Sequence, residues 1–233
     1  MGDKVLGAFG QHILLPARVA RQNLFHRPRE VSAELAAMLE PAACVIHSLE
    51  SIDWKGVDRV LVLGLGAMGL LFAQLLPRYT RASCEGAGRR RDRVEMARNW
   101  GLSPVYDLTE ATLADLAPGE RYDVVIECTG KMDGWKEAFH RAAPGGQVLF
   151  FGGLPRGTAF PLDTYRTHYE EVTVRGSFHF SPRDVALARE QILSRAIDTA
   201  GLISGTMPLD GVQEAMERLS AGQGVQYAID PWG

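Results

Sequence analysis

The sequence predicts an α/β fold built on a parallel, doubly wound sheet. Three observations predict it. Val60-Leu61-Val62-Leu63 runs straight into Gly64-Leu65-Gly66-Ala67-Met68-Gly69, and an apolar run over 70–76 follows at once, the order of a buried strand, a tight turn and a helix. From Arg59 onward, strand-length apolar runs alternate with helix-length runs, which suits right-handed βαβ units. Turn signals at Pro118-Gly119, Pro144-Gly145-Gly146 and Gly152-Gly153 separate those runs.

Taken from the N-terminus, residues 5–16 read as an irregular strand and 17–30 as a polar, arginine-bearing stretch with a loop at Pro28. Ser32 is the expected N-cap of a helix over 32–40, which Pro41 interrupts before a helix of small residues resumes over 42–49. Strands are then expected at 59–64, 82–88, 103–107, 122–128, 146–152 and 172–177. Helices are expected near 67–77, 90–100, 109–117, 132–142 and 182–195. Residues 158–162 read as a short edge strand, and Lys136, Glu137 and Arg141 as a solvated helix face. A helix near 209–220 and a strand at 225–229 close the chain. The predicted organisation is a dinucleotide-binding domain over 49–195, with 1–48 and 196–233 forming a second, incomplete lobe and its connecting helices.

Bulk properties narrow the partners. The chain has 233 residues, 46% of them hydrophobic, enough to bury a core. A net charge of −3 points to neither nucleic acid nor an anionic membrane. The cysteines, Cys44, Cys84 and Cys128, are odd in number and far apart, which suits a reducing compartment and so the cytoplasm. No apolar run is long enough to span a bilayer, and the N-terminus lacks a signal-peptide core.

The glycine loop carries the first chemistry. Gly64 lets the chain turn sharply, Gly66 lets a pyrophosphate approach the backbone, and Gly69 lets helix and strand pack closely. The helix N-terminus at Ala67 and Met68 then offers free N–H groups and a partial positive charge. A dinucleotide fold places an acid at the end of its second strand to hold a ribose 2′-OH. Gly88 stands there instead, followed by Arg89, Arg90 and Arg91. A carboxylate would repel a 2′-phosphate, whereas a guanidinium binds it bidentately, so the pattern favours NADP over NAD. A solvated basic helix start is the alternative, at a small cost against the helix dipole. Glu85 is the competing acid, and a shift of register would make it the ribose ligand and NAD the cofactor. Cys128, Thr129 and Gly130 end the fourth strand and Phe151, Gly152 and Gly153 the fifth, where carboxyl ends line a ligand crevice. Gly130 permits close approach; Cys128 reads equally as lining and as packing.

At this point a family resemblance is visible. Gly7-Ala8-Phe9-Gly10-Gln11, Pro16-Ala17-Arg18, Leu39-Glu40-Pro41-Ala42-Ala43-Cys44, the Gly64 loop, Asp123-Val124-Val125-Ile126-Glu127-Cys128-Thr129-Gly130 and Pro144-Gly145-Gly146 span almost the whole chain. In these stretches the sequence resembles the zinc-type medium-chain dehydrogenases, especially their polyol (sorbitol) and threonine dehydrogenase branch. The resemblance implies a Rossmann domain for a nicotinamide dinucleotide, hydride exchange with an alcohol or polyol carbon, and a homodimer joined near 158–162. It also implies a β-rich, GroES-like lobe that holds a catalytic zinc. Glu40 matches a zinc or zinc-water ligand of the polyol branch. His47 falls where the family often has a histidine near the nicotinamide, and it reads equally as a helix-packing residue.

The departures from the family are as informative. The early cysteine ligand, the Gly-His-Glu motif and the four closely spaced cysteines of the structural zinc are missing. One carboxylate cannot hold Zn²⁺, and the histidines show no metal spacing. The expectation is therefore a truncated or split family member without zinc of its own, inactive alone or dependent on a separate chain for the missing half. The alternative is a non-catalytic NADP(H)-binding or interaction module.

Overall fold

The computed structural model describes residues 9–233. The part of the expected first strand at 5–8 lies outside the described residues, and 9–16 form no strand. The described chain divides into two compact units, residues up to Met38 with Thr199–Gly233, and Leu39–Asp198.

In the smaller unit, helix α1 (Ala17–Gln22) is followed by α2 (Ala33–Ala37), whose N-cap Ser32 accepts a hydrogen bond from the Leu35 amide at 3.1 Å. The break after α2 falls at Met38 and not at Pro41. Helix α3 (Leu39–Glu50) carries Pro41 in its first turn, where an amide hydrogen has no intrahelical acceptor and its loss costs nothing. The buried face of α3, with Ala43, Ile46 and Leu49, belongs to the larger unit, so the seam lies ten residues earlier than the one expected after residue 48.

The larger unit runs β1 (Arg59–Leu63), α4 (Ala67–Leu75), β2 (Ser83–Gly88), α5 (Arg91–Asn99), β3 (Val105–Asp107), α6 (Leu113–Leu116), β4 (Tyr122–Glu127), α7 (Met132–Arg141), β5 (Ala142–Phe150), α8 (Thr164–His168), β6 (Thr173–Gly176) and α9 (Pro182–Leu193). The six strands form one parallel sheet in the order β3-β2-β1-β4-β5-β6. This is the Rossmann arrangement, with its switch point between β1 and β4. The central strands are apolar over their middle residues because helices cover both faces, and Val60, Leu61, Val62, Val124, Val125 and Ile126 have no exposed surface.

Three local expectations are corrected. Residues 158–162 are not a strand. Phe160 turns inward against Trp135, Phe139 and Phe150 at ring separations of 5.6, 6.2 and 5.6 Å, so this segment closes the core instead of extending the sheet. Arg141 is not solvated: it is 2% exposed, bonds Glu137 at 2.7 Å, and donates to the carbonyls of Ala117 and Glu120 ahead of β4. Strand β5 starts at Ala142 and takes in Pro144-Gly145-Gly146, with a register shift opposite Tyr122 and Val124.

Glu85 settles one alternative. It lies inside β2, 2% exposed, with Arg59 at 2.6 and 3.1 Å and the hydroxyls of Tyr106 and Tyr122 donating at 3.0 and 2.9 Å. Burial opposes the Arg59 charge, but the bonds to Glu85 and Glu120 outweigh it and hold its pKa above the usual arginine value. Glu85 is therefore an interior ion-pair partner, three residues short of the strand end.

The smaller unit closes with β7 (Ile203–Pro208), α10 (Val212–Ser220) and β8 (Gln226–Asp230), a parallel strand pair joined through a helix. Strand β7 was not expected. Its Gly205 and terminal Pro208 read as turn residues, and no continuous apolar run marks it. No helix among the described residues is long and apolar enough to cross a membrane.

Candidate functional site at the carboxyl edge of the sheet

Strand register assembles the site. Gly64 donates its amide to the Ala87 carbonyl at 2.9 Å, Cys128 to Leu63 at 2.8 Å, Phe151 to Glu127 at 3.0 Å and Leu108 to Gly88 at 2.7 Å. These bonds set Gly88, Gly64, Cys128 and Phe151 at one level along the carboxyl ends of β2, β1, β4 and β5. Most residues expected to meet a cofactor are thus neighbours, although the sequence scatters them over some ninety positions.

The three loop glycines have different reasons to be glycine. Gly64 has φ of 98°, and a Cβ there would stand 2.7 Å from Thr129 Cγ2. A Cβ on Gly69 would lie 2.0 Å from the Gly64 carbonyl oxygen, which is backbone and cannot step aside. Gly66 is unlike both. Its φ of −80° is open to any residue, and a Cβ there would meet no protein atom within 4 Å. Neither backbone nor packing requires glycine at 66, so the open space in front of it is what its missing side chain preserves. Gly153 is likewise free of neighbours and of left-handed geometry.

Helices α4, α5 and α7 follow the central strands, and none has a side-chain cap. Helices α6 and α9 instead begin with complete capping boxes from Thr112 and Ser181. The first amides of α4, at Ala67, Met68 and Gly69, therefore lack a side-chain acceptor of their own and could hold a phosphate.

At the end of β2, Leu65 fills the space where a side chain on residue 88 would go, 3.0 Å from a Cβ. A side chain at 88 would thus need Leu65 to give by a few tenths of an ångström. Just beyond, the side chains of Arg89 and Arg90 are exposed and form no ion pair among the described residues, whereas Arg91 is drawn to Asp107 and Glu110 at 3.4 and 3.5 Å.

Glu40, Cys44 and His47 share one face of α3. The Cys44 thiol donates to Glu40 Oε1 at 3.4 Å, and burial with that carboxylate pushes its pKa up to about 12. Desolvation likewise raises the Cys128 thiol well above its usual range, so neither is a thiolate at neutral pH. His47 Nδ1 lies 2.9 Å from Asp184 Oδ2. Burial would raise the Asp184 carboxyl, but bonds from Ser181 and His47 outweigh it and hold it below its ordinary value. The ring is thereby oriented with Nε2 away from its partner, and the side chain is 40% exposed. Among the described residues no group of three or more His, Cys, Asp or Glu could hold a metal ion, so the donor set does not fit zinc. A cavity of about 450 Å³ lined by Trp54, Arg78, Tyr79 and Arg81 lies at the other end of the sheet, where β1 and β2 begin.

Sequence reasoning missed Glu127 as a site residue, treating it only as part of a motif. It is 0% exposed at the end of β4, and desolvation raises its carboxyl pKa against the opposing bonds from Thr129 and Gly130. A charge ending an apolar strand beside the glycine-rich turns was the available signal.

Fold and edge geometry together define a Rossmann-type α/β protein. The chain belongs to the zinc-binding dehydrogenase family, whose domain matches residues 67–194. It is 24% identical over 221 residues to L-threonine 3-dehydrogenase of Idiomarina loihiensis, covering 93% of this chain and 63% of that protein. To the probable D-xylulose reductase A of Aspergillus clavatus it is 24% identical over 213 residues, covering 87% and 58%. A protein of Sinorhizobium meliloti 1021, solved with NADP bound, superposes with a TM-score of 0.77 at 25% identity, covering 89% of this chain and 62% of that one. The chain thus spans just under two thirds of the length of the relatives it matches.

Proposed function

We propose that this chain is the dinucleotide-binding part of an NADP(H)-dependent alcohol or polyol oxidoreductase. The observation that carries the reading is Gly66, a glycine that neither its backbone angle nor its neighbours require, facing open space at an uncapped helix N-terminus. The NADP found in the Sinorhizobium relative supports it. When bound, the nicotinamide accepts or donates hydride. The chain's own residues bind and orient: the amides of 66–69 take the pyrophosphate, Arg89 and Arg90 the 2′-phosphate, and the turns at Cys128–Gly130 and Phe151–Gly153 line the nicotinamide end. His47, steered by Asp184, is the candidate proton-handling group, and Glu40 the candidate metal-shell carboxylate on the same helix face.

Zinc-assisted alcohol chemistry would draw on donors outside the described residues, so the chain by itself binds cofactor without turning over alcohol. Phe9, Leu14, Leu24 and Trp232 of the smaller unit stand exposed at 67, 88, 60 and 66%, apolar surface that further polypeptide would stabilise by covering. Free thiols throughout support a cytoplasmic setting.

Titration with NADPH and NADH by tryptophan fluorescence tests the reading. NADPH is expected to bind at least about tenfold more tightly, the worth of one charge-assisted contact. The double substitution Arg89→Ser/Arg90→Ser should erase the preference, and no alcohol, sorbitol or threonine oxidation should appear with added Zn²⁺. Equal or tighter NADH binding would overturn the cofactor choice, binding of neither would overturn the function, and zinc-dependent turnover would overturn the need for outside donors.

Assembly follows from the sheet edge. Among the described residues β6 pairs with β5 alone and its far edge is exposed, an invitation to further pairing. The reading includes a homodimer in which two β6 edges meet about a two-fold axis. Sedimentation at micromolar concentration should give twice the chain mass; a monomer would refute it.

A further inference from the structure

The structure assigns to Glu127 the role of a positioning residue: its buried carboxylate shapes the rim that receives the dinucleotide without touching the ligand. The inference rests on the dinucleotide reading above. Glu127 pairs in register with Leu63 of β1 and Phe150 of β5, at the centre of the sheet. An apolar residue would be the cheaper occupant, because a buried carboxylate without a cation is costly, and Glu127 has no ion-pair partner among the described residues.

Every acceptor it offers is aimed at the rim. The carboxylate accepts from the Thr129 amide at 2.6 Å, from the Thr129 hydroxyl, and from the Gly130 amide at 3.3 Å. Its main-chain oxygen accepts from the amides of Phe151 at 3.0 Å and Gly152 at 2.9 Å. One residue thereby ties together the turns after β4 and β5. Thr129 extends the tie to the turn after β1, since its methyl and amide close off the space above Gly64.

Two distant glycines are shaped around the same carboxylate and the groups that donate to it. A Cβ on Gly134 would stand 2.1 Å from Thr129 Oγ1 and 2.6 Å from Glu127 Oε1, and a Cβ on Gly152 would stand 2.2 Å from the Gly130 amide nitrogen and 2.7 Å from Glu127 Oε2. Any larger residue at either position would displace the carboxylate or one of its partners. Two glycines are thus fitted to one buried carboxylate and its partners, an arrangement that stability alone does not favour and that a rim held in one shape does.

Glu127→Gln tests the role with little change in volume. Its amide oxygen still accepts from Thr129, but its NH₂ opposes the Gly130 amide, leaving a buried donor unpaired. The dissociation constant for NADPH is expected to rise roughly tenfold. Hydrogen exchange at Thr129 and Gly130 in the cofactor-free protein should quicken, while β1 amides such as Val62 stay protected. Thr129→Val removes the hydroxyl's bond to Glu127 and the one it accepts from the Lys131 amide at 3.1 Å. It should raise the constant less, and the double variant should add little to Glu127→Gln because both act through one tie. Weaker stability with an unchanged dissociation constant, or an unchanged constant and unchanged exchange in Thr129→Val should Glu127→Gln not fold, would overturn the inference alone. Absence of any dinucleotide binding by the unaltered chain would overturn the inference together with the reading beneath it.

Discussion

Gly66→Ala is expected to leave the unfolding midpoint unchanged while weakening dinucleotide binding about tenfold to a hundredfold, and Gly69→Ala to damage both. The two glycines lie three residues apart in one motif, yet they answer to different constraints. An added methyl at 66 meets no protein atom within 4 Å and a backbone angle that alanine adopts freely. It projects into the approach to the α4 amides, where displacing a phosphate forfeits the worth of one charge-assisted hydrogen bond, about 1.5–3 kcal/mol. The same methyl at 69 would lie 2.0 Å from the Gly64 carbonyl oxygen. Helix α4 must then move off β1, at an overpacking cost of about 1–3 kcal/mol, and the phosphate site moves with it. Thermal melts alongside cofactor titrations separate the cases. A Gly66→Ala protein that binds NADPH normally would remove the main support for the proposed function.

Arg59→Met is expected to destabilise the protein by about 3 kcal/mol, the lower end of the range for removing one partner of a buried ion pair. The lower end applies because Arg59 is itself 35% exposed, whereas Glu85 keeps its charge inside the sheet with only the two tyrosine hydroxyls left to satisfy it. The loss includes the stacking of the guanidinium on the Tyr122 ring at 4.6 Å. Replacing both partners, Arg59→Met with Glu85→Leu, should recover part of the loss, since no charge is then stranded although the buried Tyr122 hydroxyl loses its acceptor. Urea unfolding of the two variants decides the matter, and a single variant as stable as the unaltered chain would show that Glu85 is carried by its tyrosines. Cofactor preference should not follow Glu85 in either variant, because it lies away from the strand end.

By itself the sequence determined the alternation of strands and helices, the position of the glycine loop, and the residues that end β4 and β5. Those features are local: apolar spacing over a few residues selects strand or helix, and a missing side chain or a proline acts where it stands. The capping Ser32 and the strand at Arg59–Leu63 could be read for the same reason. Only the tertiary structure decided which acid faces which strand. Glu85 and Gly88 differ by three positions, and their roles depend on register with β1 and on Leu65 folding over the end of β2. Arg141 looks solvated on its helix because the carbonyls it caps lie about twenty residues away. Phe160 looks like strand because the aromatic cluster that recruits it comes from α7 and β5. His47 finds Asp184 across 137 positions, and Glu127 is fitted to Gly134 and Gly152 through contacts that no local pattern encodes. Pairings of this kind form only once the sheet fixes which residues are neighbours, and a linear pattern carries no record of that choice.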